Sequence, residues 1–246
     1  LTGVPDGEPM KVGVGIADVM TGMYANTAIL AALHHRDKTG KGQYIDMALL
    51  DSQVAWLVNE GMNYLVGGRV PKALGAAHAT IVPYQAFPSA DGYFVLAVGN
   101  DSQFRKFCAF AGLAGLADDP RYRANRDRVT NRETLIPLIR ETTARQPTQY
   151  WLDGLEPLGV PASPVNTIDQ VFADPQVRHR GMRIEMAHEL ADAPVPLIAS
   201  PIRMSETPVA YRRPPPTLGQ HTDEVLSELL DMDTVEIAGL RERQVI

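Results

Sequence analysis

One stretch constrains the fold more than any other: residues 10–65, MKVGVGIADVMTGMYANTAILAALHHRDKTGKGQYIDMALLDSQVAWLVNEGMNYL. It opens with apolar residues alternating with glycine and runs into Asp18. Apolar and small side chains then recur at spacings of three and four (Met20, Met23, Tyr24, Ala28, Ala31, Ala32), which predicts a helix over 19–35. The alanines on that helix suit close packing against another element. Gly40 and Gly42 break it, and Lys38 suits its last turn. Residues 43–50 (QYIDMALL) read as a buried strand, and a new helix begins at Asp51, runs to about 65 and stops at Gly67-Gly68. Helix, tight turn, strand and helix in this order predict an α/β layer with a parallel sheet.

After Gly68 the texture changes. Residues 69–79 read as a loop, and 80–99 (TIVPYQAFPSADGYFVLAVG) as a hairpin turning at Asp91-Gly92. Asp101 opens an amphipathic helix, a polar, arginine-rich stretch covers 118–132, and helices are expected near 131–145 and 148–157. A short extended piece at 160–166 and a helix at 167–173 follow. Strands are expected near 182–187 and 197–204, then a proline-rich extended segment at 212–216, then one last amphipathic helix in TDEVLSELLDM.

Composition excludes several classes. The net charge is -6, and no block of Lys and Arg with interleaved aromatics occurs, so nucleic acid is not an expected partner. No stretch reaches the roughly 18 apolar residues of a membrane span, so no membrane partner is expected. The single cysteine, Cys108, sits among apolar helical positions and reads as a buried structural thiol in a cytoplasmic protein. The chain opens on Leu1 in a polar, turn-rich run, LTGVPDGEPM, which reads as a loop between elements and predicts that further residues precede it.

Asp18 lies between glycines and a helix start. Local sequence allows two readings of it. As an N-cap its oxygen accepts a bond from a first-turn N–H, contributing about 1 kcal/mol. As a nucleophile it is an ionised carboxylate favoured by the helix N-terminus, with little side chain blocking the approach. Residues alone do not choose between these. His34, His35 and His78 have no partners at ligand spacing, so no metal is expected. His78 is a loop residue that could also line a pocket, and His221 reads as a helix-start residue.

The segment over 11–52 resembles the class III CoA-transferase family, which includes carnitine, bile-acid and formyl-CoA transferases and the α-methylacyl-CoA racemases. The resemblance rests on Asp18, Thr21-Gly22, the ILAAL run at 29–33, and Arg36 with Thr39-Gly40-Lys41-Gly42-Gln43. It continues through DGYFVLAVGNDSQF (91–104), GVPASPVNT (159–167) and LGQHTDEVLSEL (218–229), in the family's order.

The resemblance implies an α/β fold: a Rossmann-like large domain, incomplete at its N-terminus, plus a small α+β domain, in an interlocked homodimer. Residues 1–68 would then be part of the large CoA-binding domain, 69–79 a linker, 80–175 the small domain, and 176–246 a return linker and C-terminal segment packing on the large domain. It also implies Asp18 as the catalytic nucleophile, carrying anhydride and CoA-thioester intermediates. Gly99, Asn100 and Asp101 would form a loop over the site; Val98-Gly99-Asn100-Asp101 departs from the family's glycine-rich version, and a strand end followed by an Asp101 N-cap is the competing reading. Leu49 and Lys41 are candidate CoA contacts, against a buried strand residue and a solvated turn. No tightly bound cofactor is implied. Coenzyme A enters as substrate, and acyl-CoA and a small carboxylic acid are the partners.

Two other readings stand beside the transferase. An acyl-CoA racemase of the same fold moves an α-proton and needs an acid and a base on opposite faces. Its family pattern carries a glutamate at about the position of Asp101, which this chain lacks. The third reading is an inactive fragment without the CoA-binding segment. Formate, oxalate, succinate, glutarate, carnitine and citramalate types share these motifs, so the acids exchanged are not readable.

Overall fold

The computed structural model describes residues 1–246, which divide into two compact units, Leu1–Val165 and Asn166–Ile246. The first unit opens with helix α1 (Ile16–Thr39), then α2 (Leu49–Ala55) and α3 (Val58–Leu65). Glycine bounds α1 at both ends: Gly15 is its N-cap, and Gly40 at φ 72° closes it in the left-handed conformation that favours glycine, its N–H bonded to the Arg36 carbonyl. The expected 51–65 helix is two helices. The break falls at Val58, whose φ of 42° no regular helix accommodates.

Three expectations for this segment are corrected. Residues 43–48 form no strand, and Tyr44 is 90% exposed in pair-free backbone. A strand exists only where a neighbour supplies its ladder, and none pairs with 43–48. Every strand pair in the chain is antiparallel, so no parallel sheet forms within it. Finally, α1 is long and apolar enough to cross a membrane by length and composition alone, with an 18-residue window averaging a hydropathy of 1.3. A count of uninterrupted apolar residues misses it because Asn26 and Thr27 interrupt the run while Ala, Ile and Leu raise the mean. None of the residues of α1 is buried.

The remainder of the unit builds its own core. Strands β1 (Tyr84–Pro88) and β2 (Tyr93–Ala97) form the expected hairpin, with Tyr84 opposite Ala97 and Pro88 opposite Tyr93. Helices α4 (Asp101–Phe110), α5 (Ala114–Asp118), α6 (Asn125–Thr130), α7 (Arg132–Thr143) and α8 (Thr148–Leu155) follow. Strand β3 (Ala162–Pro164) adds to the free edge of β2. Side chains along β2 and beyond alternate, so Phe94, Leu96 and Val98 are buried on one face. Against that face pack Phe104, Phe107 and Cys108 of α4, Leu135 and Ile139 of α7, and Trp151 and Leu155 of α8. Trp151 lies stacked at 5.8 Å from Phe94 and donates its indole N–H to the Thr143 carbonyl at 3.0 Å, so its one polar atom is satisfied inside the core. The Cys108 thiol is buried in this cluster, and burial pushes its pKa up to about 12.

The second unit holds α9 (Ile168–Ala173), α10 (Pro175–His179), the antiparallel pair β4 (Arg183–Met186) and β5 (Val195–Ile198), α11 (Thr222–Leu230) and α12 (Thr234–Glu242). The strand expected at 197–204 is β5, which starts and ends earlier. Helix α11 is the expected last amphipathic helix, but α12 follows it. Its start carries a capping box in which Asp233 accepts from the Glu236 N–H and the Glu236 carboxylate accepts from the Asp233 N–H.

Candidate active site

Asp18 is the third residue of α1. It is not the N-cap, and its carboxylate makes no hydrogen bond or ion pair to any other group. The N-cap reading is therefore corrected. Gly15 caps the helix through its backbone, its carbonyl taking the N–H of Val19 at 3.1 Å. The Asp18 carboxylate is exposed and folds back beside that glycine. A Cβ on Gly15 would come within 3.0 Å of Asp18 Oδ2, closer than all but rare side-chain contacts. A side chain at 15 would therefore crowd the carboxylate. The oxygens remain available to an electrophile. Thr21 ties its hydroxyl to the Ala17 carbonyl at 2.8 Å, which steadies the same turn.

The other CoA candidates from the sequence lie on the same segment. Lys41 follows the C-cap of α1, with its N–H bonded to the Thr39 hydroxyl and its side chain exposed and unpaired. Leu49 does not lie in a buried strand. It is the first residue of α2 and half exposed, because the strand it was assigned to has no partner. Arg36 pairs with Asp37 on the surface.

Gly99, Asn100 and Asp101 link β2 to α4. Asn100, rather than Asp101, is the N-cap: its side chain accepts the Gln103 N–H at 2.9 Å. Asp101 instead turns to Arg128, whose Nη2 donates to Asp101 Oδ1 at 2.8 Å. The Asp101 side chain is 44% exposed and that of Arg128 is 0% exposed. The Arg128 guanidinium also donates to the carbonyls of Val82 (2.6 Å), Tyr122 (2.9 Å) and Arg123 (3.2 Å) and lies 4.4 Å over the Phe104 ring. All its charge is thus answered inside the fold. The Gly99 N–H donates to Gln103 Oε1 at 2.8 Å, and Gln103 Nε2 donates to the Gly159 carbonyl at 2.8 Å.

Gln103 and Arg128 went unrecognised in the sequence. The Asn100-x-x-Gln103 spacing is a helix-start signal that could have marked the first. Nothing local separates Arg128 from the other arginines of its polar stretch. No hydrogen bond joins Asp18, Lys41 or Leu49 to the 99–101 loop. His78 is a packed side chain, stacked 5.4 Å from Tyr84 and accepting the Thr80 N–H. His221 sits at the N-cap of α11, where it pairs with Glu224 when protonated. No group of three or more His, Cys, Asp or Glu side chains is gathered at metal-ligand spacing.

A family model described as CoA-transferase family III matches residues 1–222. A succinate–glutarate CoA-transferase from Agrobacterium fabrum is 48% identical over 236 residues, covering 96% of this chain and 58% of that protein. A human succinyl-CoA:glutarate CoA-transferase is 42% identical over 246 residues, covering 100% of this chain and 56% of that protein. The chain thus spans a little over half the length of these relatives. A crystal structure of a CAIB/BAIF family protein from Brucella suis superposes with a TM-score of 0.78 at 44% identity, covering 93% of this chain and 59% of that one. The exposed carboxylate in the first turn of α1 and the capped loop before α4 therefore belong to a known framework: the chain is a member of CoA-transferase family III.

Proposed function

We propose that the chain carries the nucleophile of a CoA-transferase that moves CoA from an acyl-CoA thioester to a small dicarboxylic acid, of the succinate or glutarate type. The observation that carries this reading is the Asp18 carboxylate, exposed and free of partners beside a glycine. The acid class is supported by the names of the relatives in Agrobacterium fabrum and in humans.

The chemistry runs as a series of exchanges. An Asp18 oxygen attacks the thioester carbonyl, the C–S bond breaks, and CoA leaves as its thiolate, giving a mixed anhydride. The thiolate attacks the Asp18 carbonyl, releasing the donor acid and forming an aspartyl-CoA thioester. The acceptor carboxylate attacks that thioester and expels the thiolate, giving a second anhydride. The thiolate then attacks the acceptor's carbonyl and frees Asp18. Each step replaces one activated acyl bond by another, so no ATP is consumed and no net proton moves. Each attack develops an oxyanion, which calls for N–H donors near the thioester. The 99–101 loop is assigned to that region.

The racemase reading is less well supported. Its acid–base pair needs a carboxylate free to trade a proton, and Asp101 is held in an ion pair with Arg128. The Rossmann-like large domain and the interlocked homodimer belong to the same proposal. Exposed apolar residues on α1 to α3, such as Leu30, Leu50 and Leu65, are surfaces that such packing would cover. The composition of α1 suits a core helix of that domain, and Asp18 in its first turn favours that role over a membrane span. A cytoplasmic location is consistent with one buried cysteine.

The test incubates the protein with succinyl-CoA and labelled glutarate. Labelled glutaryl-CoA is the expected product, and Asp18→Ala abolishes it. Deuterium uptake at an α-carbon without CoA exchange would favour the racemase. Neither activity would leave the fragment reading.

A further inference from the structure

The loop between β2 and α4 is held from both ends by side chains that lie outside it. At the near end, Gln103 closes a double bridge. Its Oε1 takes the Gly99 N–H at 2.8 Å and its Nε2 gives to the Gly159 carbonyl at 2.8 Å. A Cβ on Gly99 would sit 3.3 Å from that Oε1, so the glycine is what lets the amide come this close. At the far end, Arg128 grips Asp101 at 2.8 Å. Arg128 is anchored in turn to the Val82 carbonyl, and the next carbonyl, of Pro83, takes the Val98 N–H at 3.0 Å. Between the two ends, Asn100 caps α4 through the Gln103 N–H.

These contacts settle the direction of the Gly99 amide and of the loop's one carboxylate, and Asn100 ties the loop to the start of α4. A fully buried guanidinium with four acceptors has one orientation, and an amide bridging two backbone groups has one rotamer. A loop that must offer donors to a developing charge works only if its geometry is set beforehand. Resting on the assignment of 99–101 to the active site, we infer that Gln103 and Arg128 are positioning residues. They pre-set the Gly99–Asp101 loop for CoA exchange without touching the acyl group.

The experiment uses Gln103→Leu, Gln103→Glu, Arg128→Lys and Asp101→Asn in the full protein, with surface Arg126→Gln as control. Two readouts are taken: kcat and KM for succinyl-CoA with glutarate, and hydrogen exchange at the Gly99 amide. In Gln103→Leu, kcat falls on the order of ten- to a hundredfold with KM for the acyl-CoA little changed, as expected for misplacement at the reacting centre. The Gly99 amide exchanges roughly tenfold faster, because its partner is gone. Gln103→Glu keeps the acceptor and restores most of the amide's protection. Arg128→Lys and Asp101→Asn lower kcat in the same sense, and Asp101→Asn, on a half-exposed side chain, does so without unfolding the protein. Wild-type turnover in both Gln103→Leu and Asp101→Asn overturns the inference. If the parent shows no CoA exchange, the transferase reading fails by itself. The brace is then judged by the Gly99 amide, and unchanged protection in Gln103→Leu overturns it.

Discussion

At the scale of single residues, the charged groups divide into those that are answered and those left open. Arg128 is the most fully answered. Removing its charge with Arg128→Met leaves the half-exposed Asp101 carboxylate to solvent but strands three carbonyls, and should cost about 2–4 kcal/mol, read as a drop in the urea midpoint. A change under about 1 kcal/mol would mean that the pair contributes little. Asp18 lies at the other extreme, with no partner at all. Its position near a helix start was legible in the sequence, because the glycines before it and the apolar period after it mark the boundary. Its role was not legible from those residues, since an N-cap and a nucleophile share that position. The structure removes the N-cap reading by giving the cap to Gly15. Asp101 had two readings, a loop residue over the site and an N-cap; the second fails, because Asn100 takes the cap and Asp101 pairs with an arginine 27 residues away.

At the scale of elements, two helical glycines make opposite predictions. Gly239 lies inside α12, where an added Cβ meets nothing within 4 Å. Gly239→Ala should therefore stabilise by up to about 1 kcal/mol through helix propensity alone. Gly154 lies inside α8, where the added Cβ would fall 1.9 Å from the Phe110 ring. That ring is stacked on Tyr150 and packed edge-on against Trp151, so it has little room to give. Gly154→Ala should destabilise by about 1–3 kcal/mol, reversing the usual sign. Equal shifts in melting temperature for the two variants would contradict this packing.

The β1–β2 turn carries a pH-dependent element. Asp91 accepts the Thr148 N–H at 2.8 Å and the Ser89 hydroxyl at 2.9 Å, and these bonds, the first above all, hold its carboxyl below the ordinary value of 3.8. Because the folded value is the lower one, the contribution is complete above the ordinary value and is lost as pH falls through the folded value. Asp91→Asn should flatten the decline of stability with acid below about pH 4, measured by denaturant titration across pH. An unchanged acid profile would contradict the assignment.

The hairpin, α4 and α7 to α9 were legible because alternation, turn residues and helical period agree there. Residues 43–48 were misread because an apolar run says nothing about whether a neighbouring strand exists. Helix α12 was missed although Asp233-x-x-Glu236 marks its start, because its apolar face is sparse.

At the scale of the whole molecule, the two ends of the first unit differ in kind. Residues 84–165 bury a core of their own around Phe94, Phe107 and Trp151. Truncating Trp151 to Ala should cost about 3–5 kcal/mol, and α1 variants far less. The helices before residue 66 bury little beyond Ser52. Their period was readable, but their exposure was not, because a helical period does not say what packs against the helix. The proposed homodimer makes a definite expectation for sedimentation: a single species of twice the chain mass, with dissociation on replacing exposed apolar residues such as Leu30 by charged ones. A stable monomer would contradict it.

The most direct measurement is chemical trapping of the protein during turnover. Incubated with succinyl-CoA and then with borohydride or hydroxylamine, digested and sequenced by mass spectrometry, it should carry the modification on the peptide containing Asp18 and on that residue alone. A modification on another carboxylate, or none during measurable CoA exchange, would contradict the account.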